Sequence, residues 1–181
     1  MEKRNGKSEQ KFAGDIERVV EYAKKDLATL LEGKTLAYRK ILGNIAALVP
    51  GFSFAYLIAL DPSLAPIIRK IGKMVGSAVV ADFVKSLDLE GIITEIAGII
   101  DLAKLGATGI IKISDEHFIL RVTECADCGG TPDLGRPLCA FDEGLIDGAI
   151  STKLGKDVSV KEEECVKEGL KYCDFSIKIV G

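Results

Sequence analysis

The chain has 181 residues, 48% of them apolar, with 24 Lys and Arg set against 27 Asp and Glu. That is enough for one domain with a sizeable core, and it excludes an intrinsically disordered or low-complexity chain. A net charge of −3, with no basic stripe interleaved with aromatics, argues against nucleic acid as a direct partner.

Residues 1–14 read as a polar, flexible tail in which Lys3, Arg4, Lys7 and Lys11 are balanced by Glu2, Glu9 and the adjoining Asp15. From Asp15, Ile16, Val19, Val20, Ala23, Leu27, Leu30 and Leu31 recur at helical spacing, and Gly33 supplies a stop. A second helix is expected over Thr35 to Leu48, so residues 15–60 form a helical extension. Ile41 to Leu60 carries no charge over a length that could span a bilayer. Pro50-Gly51 breaks it at the centre, which favours two shorter buried elements over a membrane span. Phe52 to Tyr56 alternates like a strand, but Leu57 to Leu60 does not, and the segment stays ambiguous.

The main domain is expected over residues 61–181. Asp61-Pro62-Ser63 opens a helix that runs to about Phe83, with Ile67, Ile71, Met74, Val75, Ala78 and Val79 assigned to the core. Gly72, Gly76 and Ala81 are small enough for another element to approach closely. A further helix starts at Asp88 or Leu89, continues through Ile92, Ile93, Ile96, Ile99, Ile100 and Leu102, and stops at Gly106. Thr108 to Ile113 and His117 to Thr123 then form a hairpin. A Gly-, Pro- and Asp-rich loop leads to a helix over Leu138 to Leu154. Strands follow at Val158 to Glu164 and Tyr172 to Val180. A helical N-terminal half packed on a C-terminal antiparallel sheet is an α+β fold.

All five cysteines, Cys125, Cys128, Cys139, Cys165 and Cys173, lie in the last third. An odd count and no secretory signal argue against a disulfide framework and for a reducing, cytoplasmic setting. Strand alternation places Glu162 on one face with Val158 and Val160, and Cys173 on one face with Phe175, Ile177 and Ile179. A carboxylate directed into the core is costly unless paired or bound to metal. Cys139 at a helix start and Cys165 at a strand end complete a Cys₃Glu set fit for tetrahedral, closed, structural zinc. The plainer alternative is that these thiols only pack as small buried groups. Cys125 and Cys128 form a C-x-x-C motif, an alternative metal or redox pair, or simply part of a packed loop.

The pattern Gly135-x-Pro-x-Cys139, Glu143-Gly-x-x-x-Gly148 and Glu162-x-x-Cys165-x-x-x-Gly169-x-x-x-Cys173-x-Phe175 resembles the 4-vinyl-reductase (V4R) domain family. The resemblance is closest over Ser114 to Ile179 and extends over the helices from Asp61 to Gly106. The family includes archaeal stand-alone proteins and the sensor domains of phenol- and xylene-responsive activators. In the phenol sensors three cysteines and one glutamate hold a structural zinc, and Cys139, Glu162, Cys165 and Cys173 fall on those positions. Glu163 or Glu164 could compete with Glu162, and Cys125 and Cys128 match no zinc position. The family resembles in fold the haem nitric-oxide sensors and a vesicle-tethering subunit that holds a fatty acyl chain. The resemblance implies a homodimer that binds a small hydrophobic molecule. It leaves open an enzyme or accessory factor in tetrapyrrole vinyl reduction, or a structural dimerisation adaptor.

No catalytic residue is nominated. His117, the only histidine, reads as a surface residue beside a turn, and Glu143 and Asp147 read as the solvated face of their helix. Phe52, Phe54, Tyr56, Met74, Val75 and Ile99 are the candidate lining of an apolar ligand pocket, or equally plain core.

Overall fold

A computed structural model describes Arg18, Thr29, Glu32, Lys34 and residues 54–129, 131–165 and 172–180. The helices expected over residues 15–48, the Pro50-Gly51 turn and Phe52 lie outside the described residues, apart from those four positions. The ambiguous segment resolves as helix α1, Phe54–Leu60, with Ala55, Tyr56, Ile58 and Ala59 buried. The core therefore takes in residues N-terminal to Asp61.

Asp61 has extended backbone, and its carboxylate accepts from the Ser63 N–H, capping a 3₁₀ turn over Pro62–Leu64. That turn feeds helix α2, Ala65–Val75, which continues through a π turn, Gly76–Val80, and a last turn, Ala81–Phe83. Asp88 caps helix α3, Leu89–Leu102, by accepting from the Gly91 N–H at 2.9 Å. Helix α4, Ala140–Leu154, ends at Gly155, whose positive φ of 63° closes the last turn.

Four antiparallel strands, β1 (Ala107–Ser114), β2 (His117–Thr123), β3 (Val158–Glu164) and β4 (Tyr172–Ile179), form one sheet in the order β1-β2-β4-β3. The register pairs Phe118 with Ile177, Leu120 with Phe175 and Val122 with Cys173, and on the other side Val160 with Ile177 and Glu162 with Phe175. Those residues are buried, so one face of the sheet is continuous core. Helices α3 and α4 cover that face, with α3 against β1 and β2 and α4 against β3. On the opposite face Arg121 makes a two-pronged ion pair with Asp174 (2.8 and 2.7 Å) and stacks over the Tyr172 ring. His117 there shares a hydrogen bond with Ser176 at 3.0 Å.

Helix α2 lies outside α4, and the two meet through four glycines. A Cβ at Gly72 would fall on the Phe141 carbonyl, and one at Gly76 on the Leu145 carbonyl. Reciprocally, Gly144 faces the Arg69 carbonyl and Gly148 the Lys73 carbonyl. The expectation that small residues admit a close neighbour is met. The assignment of α2's core face is overturned: Ile67 is 58% exposed, Ile71 41% and Met74 63%, and Ala78 is exposed too. The helix instead buries Ile68, Gly72 and Gly76, because backbone-to-backbone packing at glycine outweighs a stripe of larger side chains that do not fit so close.

The reading of Glu143 and Asp147 as a solvated face is also overturned. Asp147 is buried and meets Lys73 Nζ at 3.0 Å and Ser151 Oγ at 2.9 Å; Glu143 pairs with Arg69, which lies 3.4 Å from Asp147 as well. These ion pairs clip α2 to α4 beside the glycine contact.

Candidate metal centre

Four chain segments converge at the end of the sheet nearest the start of α4. The first is β4, where alternation turns Cys173 into the core. The second is the end of β3. Glu162 is 1% exposed, whereas Glu163 is exposed and Glu164 half-buried, so Glu162 is the inward carboxylate of the three. The register slips between Glu162 and Glu164, and this one extra residue lets Cys165, three positions on, join Glu162 inside. The third is Cys139, immediately before α4. The fourth is the loop after β2, where Glu124 takes the left-handed conformation (φ 53°) and the chain folds back. In that loop the Gly129 N–H donates to the Cys125 carbonyl at 2.9 Å and the Thr131 N–H to the Cys128 carbonyl at 3.0 Å.

The structure thus brings Cys125, Cys128, Cys139, Cys165, Cys173 and Glu162 into one buried cluster. The Sγ atoms of Cys139 and Cys173 lie 3.8 Å apart, those of Cys125 and Cys139 3.8 Å, and those of Cys128 and Cys173 3.1 Å. Ligand atoms of Cys139, Glu162, Cys165 and Cys173 all fall within 4.8 Å of one another, as do those of Cys125, Cys128, Cys139 and Cys173. The sequence reading left Cys125 and Cys128 outside the main set. Their C-x-x-C spacing was the available signal, and the fold-back at Glu124 that carries them to β4 was not visible.

Glu162 is held at both ends. Its Oε2 accepts from the Leu138 and Cys139 N–H groups, each at 2.9 Å, at the N-terminus of α4. Its own N–H donates to Glu143 Oε1 at 2.6 Å, which locks β3 to α4. Its Oε1 is buried without a hydrogen-bond partner. Burial first, and the Cys165 thiolate beside it second, push the Glu162 carboxyl up to about 9. Burial likewise pushes the Cys139 thiol well up, while hydrogen bonds from Cys128, Cys139 and Cys173 lower that of Cys165. A cation beside this group would relieve each of these penalties at once. The orphaned Oε1 and the thiol-rich donor set fit zinc.

The candidate pocket residues differ in burial. Tyr56 is buried, Phe54, Val75 and Ile99 are partly buried, and Phe54 stacks on Phe141 with ring centroids 4.7 Å apart. Met74 faces outward and leaves the set.

A four-stranded antiparallel sheet whose inner face is covered by helices is an α+β fold, and solved structures share it. The phenol-responsive sensory domain of the transcription activator PoxR aligns over 74% of this chain and 74% of its own, with a TM-score of 0.57 at 17% identity. A trafficking protein particle complex subunit 3 from Naegleria fowleri, covalently bound to palmitic acid, aligns over 75% of this chain and 95% of its own, with a TM-score of 0.61 at 13% identity. Residues 118–179 match the V4R domain model. An uncharacterized protein of Methanocaldococcus jannaschii is 34% identical over 113 residues, 62% of this chain. The aligned region spans 64% of that relative's length, just under two thirds.

Among the described residues no helix is long and apolar enough to cross a membrane.

Proposed function

We propose that this chain is a non-enzymatic module that binds or senses a small hydrophobic molecule, with a structural zinc on Cys139, Glu162, Cys165 and Cys173. The observation that carries the zinc is Glu162, a buried carboxylate with one oxygen on two backbone N–H groups and the other without a partner, set among three thiols. Four protein donors leave no position for water, so the ion's part is to staple β3, β4 and the start of α4. The ligand reading rests on the V4R match and on the fold shared with a phenol-responsive sensor and a palmitate-bound subunit. The ligand lies between the helices and the sheet, with Phe54, Tyr56 and Ile99 supplying apolar lining, and the protein works as a cytoplasmic homodimer.

Zinc content and thermal melting of the parent and of Cys165→Ser test the metal. The expected result is bound zinc in the parent, with one ion fewer per chain and a large drop in melting temperature in the variant. A parent free of zinc, and a variant just as stable, would reduce the cysteines to packing. Native mass spectrometry of the protein as isolated tests the ligand: an apolar small-molecule adduct, absent after denaturation, is expected. Sedimentation equilibrium tests the dimer.

A further inference from the structure

The cluster holds more donors than one tetrahedral ion can use. Its two sets of four, Cys139, Glu162, Cys165, Cys173 and Cys125, Cys128, Cys139, Cys173, share two members. Those two, Cys139 and Cys173, have their sulfurs 3.8 Å apart. Zinc–sulfur bonds of about 2.3 Å at the tetrahedral angle give a sulfur–sulfur edge of about 3.8 Å. Two donor tetrahedra that share an edge of sulfurs form the arrangement in which two thiolates bridge two ions.

We propose that this centre holds two zinc ions, the second bound by Cys125, Cys128, Cys139 and Cys173, with Cys139 and Cys173 bridging to the first. The inference rests on the reading of Cys139, Glu162, Cys165 and Cys173 as a zinc site.

Three features support it. Each sulfur of the C-x-x-C pair lies against one of the two shared sulfurs: Cys125 stands 3.8 Å from Cys139, the edge an ion needs, and Cys128 stands 3.1 Å from Cys173, a pair that would part by about 0.7 Å to share an ion. Thiols that merely filled space would have no need to meet in this paired way. The described residues around them are also tied by hydrogen bonds: the Ala126 N–H donates to the Leu105 carbonyl at 2.7 Å and Thr131 Oγ1 to the Cys128 carbonyl at 2.6 Å, and Glu124 takes a conformation non-glycine residues seldom adopt. Charge supplies the third. One ion, with three thiolates and a carboxylate, leaves two net negative charges; a second ion brings in two more thiolates and leaves the same two. The N-terminus of α4, at Cys139, faces that residual charge favourably. Through Asp127, whose Oδ1 accepts from the Ala55 N–H at 3.3 Å, the second ion would also fix the loop against α1.

Zinc per chain, measured on the full-length parent, on Cys125→Ser/Cys128→Ser and on Cys165→Ser, decides it. Two zinc ions in the parent and one in the double variant are expected, a twofold fall. One zinc in the parent, retained by the double variant and lost from Cys165→Ser, would overturn the second site and leave the proposed structural zinc standing. One zinc lost from the double variant and kept by Cys165→Ser would overturn both, as would a parent without zinc. A titration of the metal-free parent with cobalt(II) needs no variant. As the second equivalent binds, the high-spin paramagnetic signal per cobalt is expected to fall through coupling across the shared thiolates. A signal that simply doubles would overturn the bridge.

Discussion

Glu162 stands where two requirements meet. Alternation along β3 turns it inward after Val158 and Val160, and its neighbours there are thiols and the backbone N–H groups of Leu138 and Cys139. A charged carboxylate in that place needs a cation, whereas a neutral amide does not. Glu162→Gln keeps an oxygen to accept from Leu138 and Cys139 and removes only the charge. Its zinc affinity, read by competition with a chelator, is expected to fall by at least about 10–100-fold, the range typical for loss of supporting metal contacts. In excess chelator its melting temperature should be no lower than that of the parent, because no ion is left for the charge to serve. An equal loss of stability with and without zinc would mean that Glu162 acts through packing alone. Much of this centre was legible in the residues: alternation in two strands identified Glu162 and Cys173 as inward, and both are buried. What could not be read was the loop after β2. The left-handed turn at Glu124 has no sequence signature, since glutamate is not a residue that marks it.

At the scale of elements, the contact between α2 and α4 is a crossing of two Gly-x-x-x-Gly stretches, Gly72 to Gly76 and Gly144 to Gly148. A methyl group at any of these positions meets a backbone carbonyl that cannot rotate away, so the helices must part. Gly72→Ala and Gly148→Ala are each expected to cost about 2–3 kcal/mol in chemical denaturation, as overpacked interiors do. Gly98 in α3 is the control: it is exposed, and a Cβ there meets nothing within 4 Å. Gly98→Ala should stabilise by about 0.4–1 kcal/mol by restricting the unfolded chain. The same contact explains why the sequence misplaced α2's core face. Apolar periodicity counts large side chains, and here the buried stripe is made of glycine, which periodicity scores as blank. The connection between α2 and α3 has its own clasp. Glu95 accepts from the Ser86 hydroxyl at 2.6 Å and the Ser86 N–H at 3.2 Å, and also from the Lys85 N–H. The Ser86 hydroxyl, with the Lys85 N–H next, holds the Glu95 carboxyl below its ordinary value. A carboxyl lowered in the folded state adds stability that is present above its unfolded value and fades as pH falls through the folded one. Glu95→Gln should therefore be less stable than the parent near neutral pH, with the gap closing below about pH 4. A gap that stays constant across that range would remove the carboxylate from the clasp.

Among the described residues two arrangements tie the layers together. One is the glycine crossing with its ion pairs, Arg69 to Glu143 and Lys73 to Asp147, which needs no cofactor. The other is the thiol cluster, which joins the end of β3, β4, the loop after β2 and the start of α4. They meet at Glu143, which pairs with Arg69 on one side and accepts the Glu162 N–H on the other. The overall α+β layout followed from the order of periodicities along the chain, helical spacing before Gly106 and strand alternation after it. How the layers are clipped together did not, because it depends on residues distant in sequence, such as Arg69 and Glu143. This division predicts how the protein responds when metal is withdrawn. Amide hydrogen exchange, followed with and without a strong chelator, should show protection lost first at Val160 to Glu164, Cys173 to Phe175 and Ala140 to Glu143. The N–H groups within α2 and the later turns of α4, from Leu145 to Leu154, should keep theirs, since the glycine crossing and the apolar layer under it remain. Hairpin β1–β2 should respond weakly at its Ser114–His117 end, which lies away from the cluster, and more at Val122, which pairs with Cys173. Uniform loss of protection across all elements would mean instead that the centre is required for the fold as a whole, in the manner of domains that unfold outright without their metal.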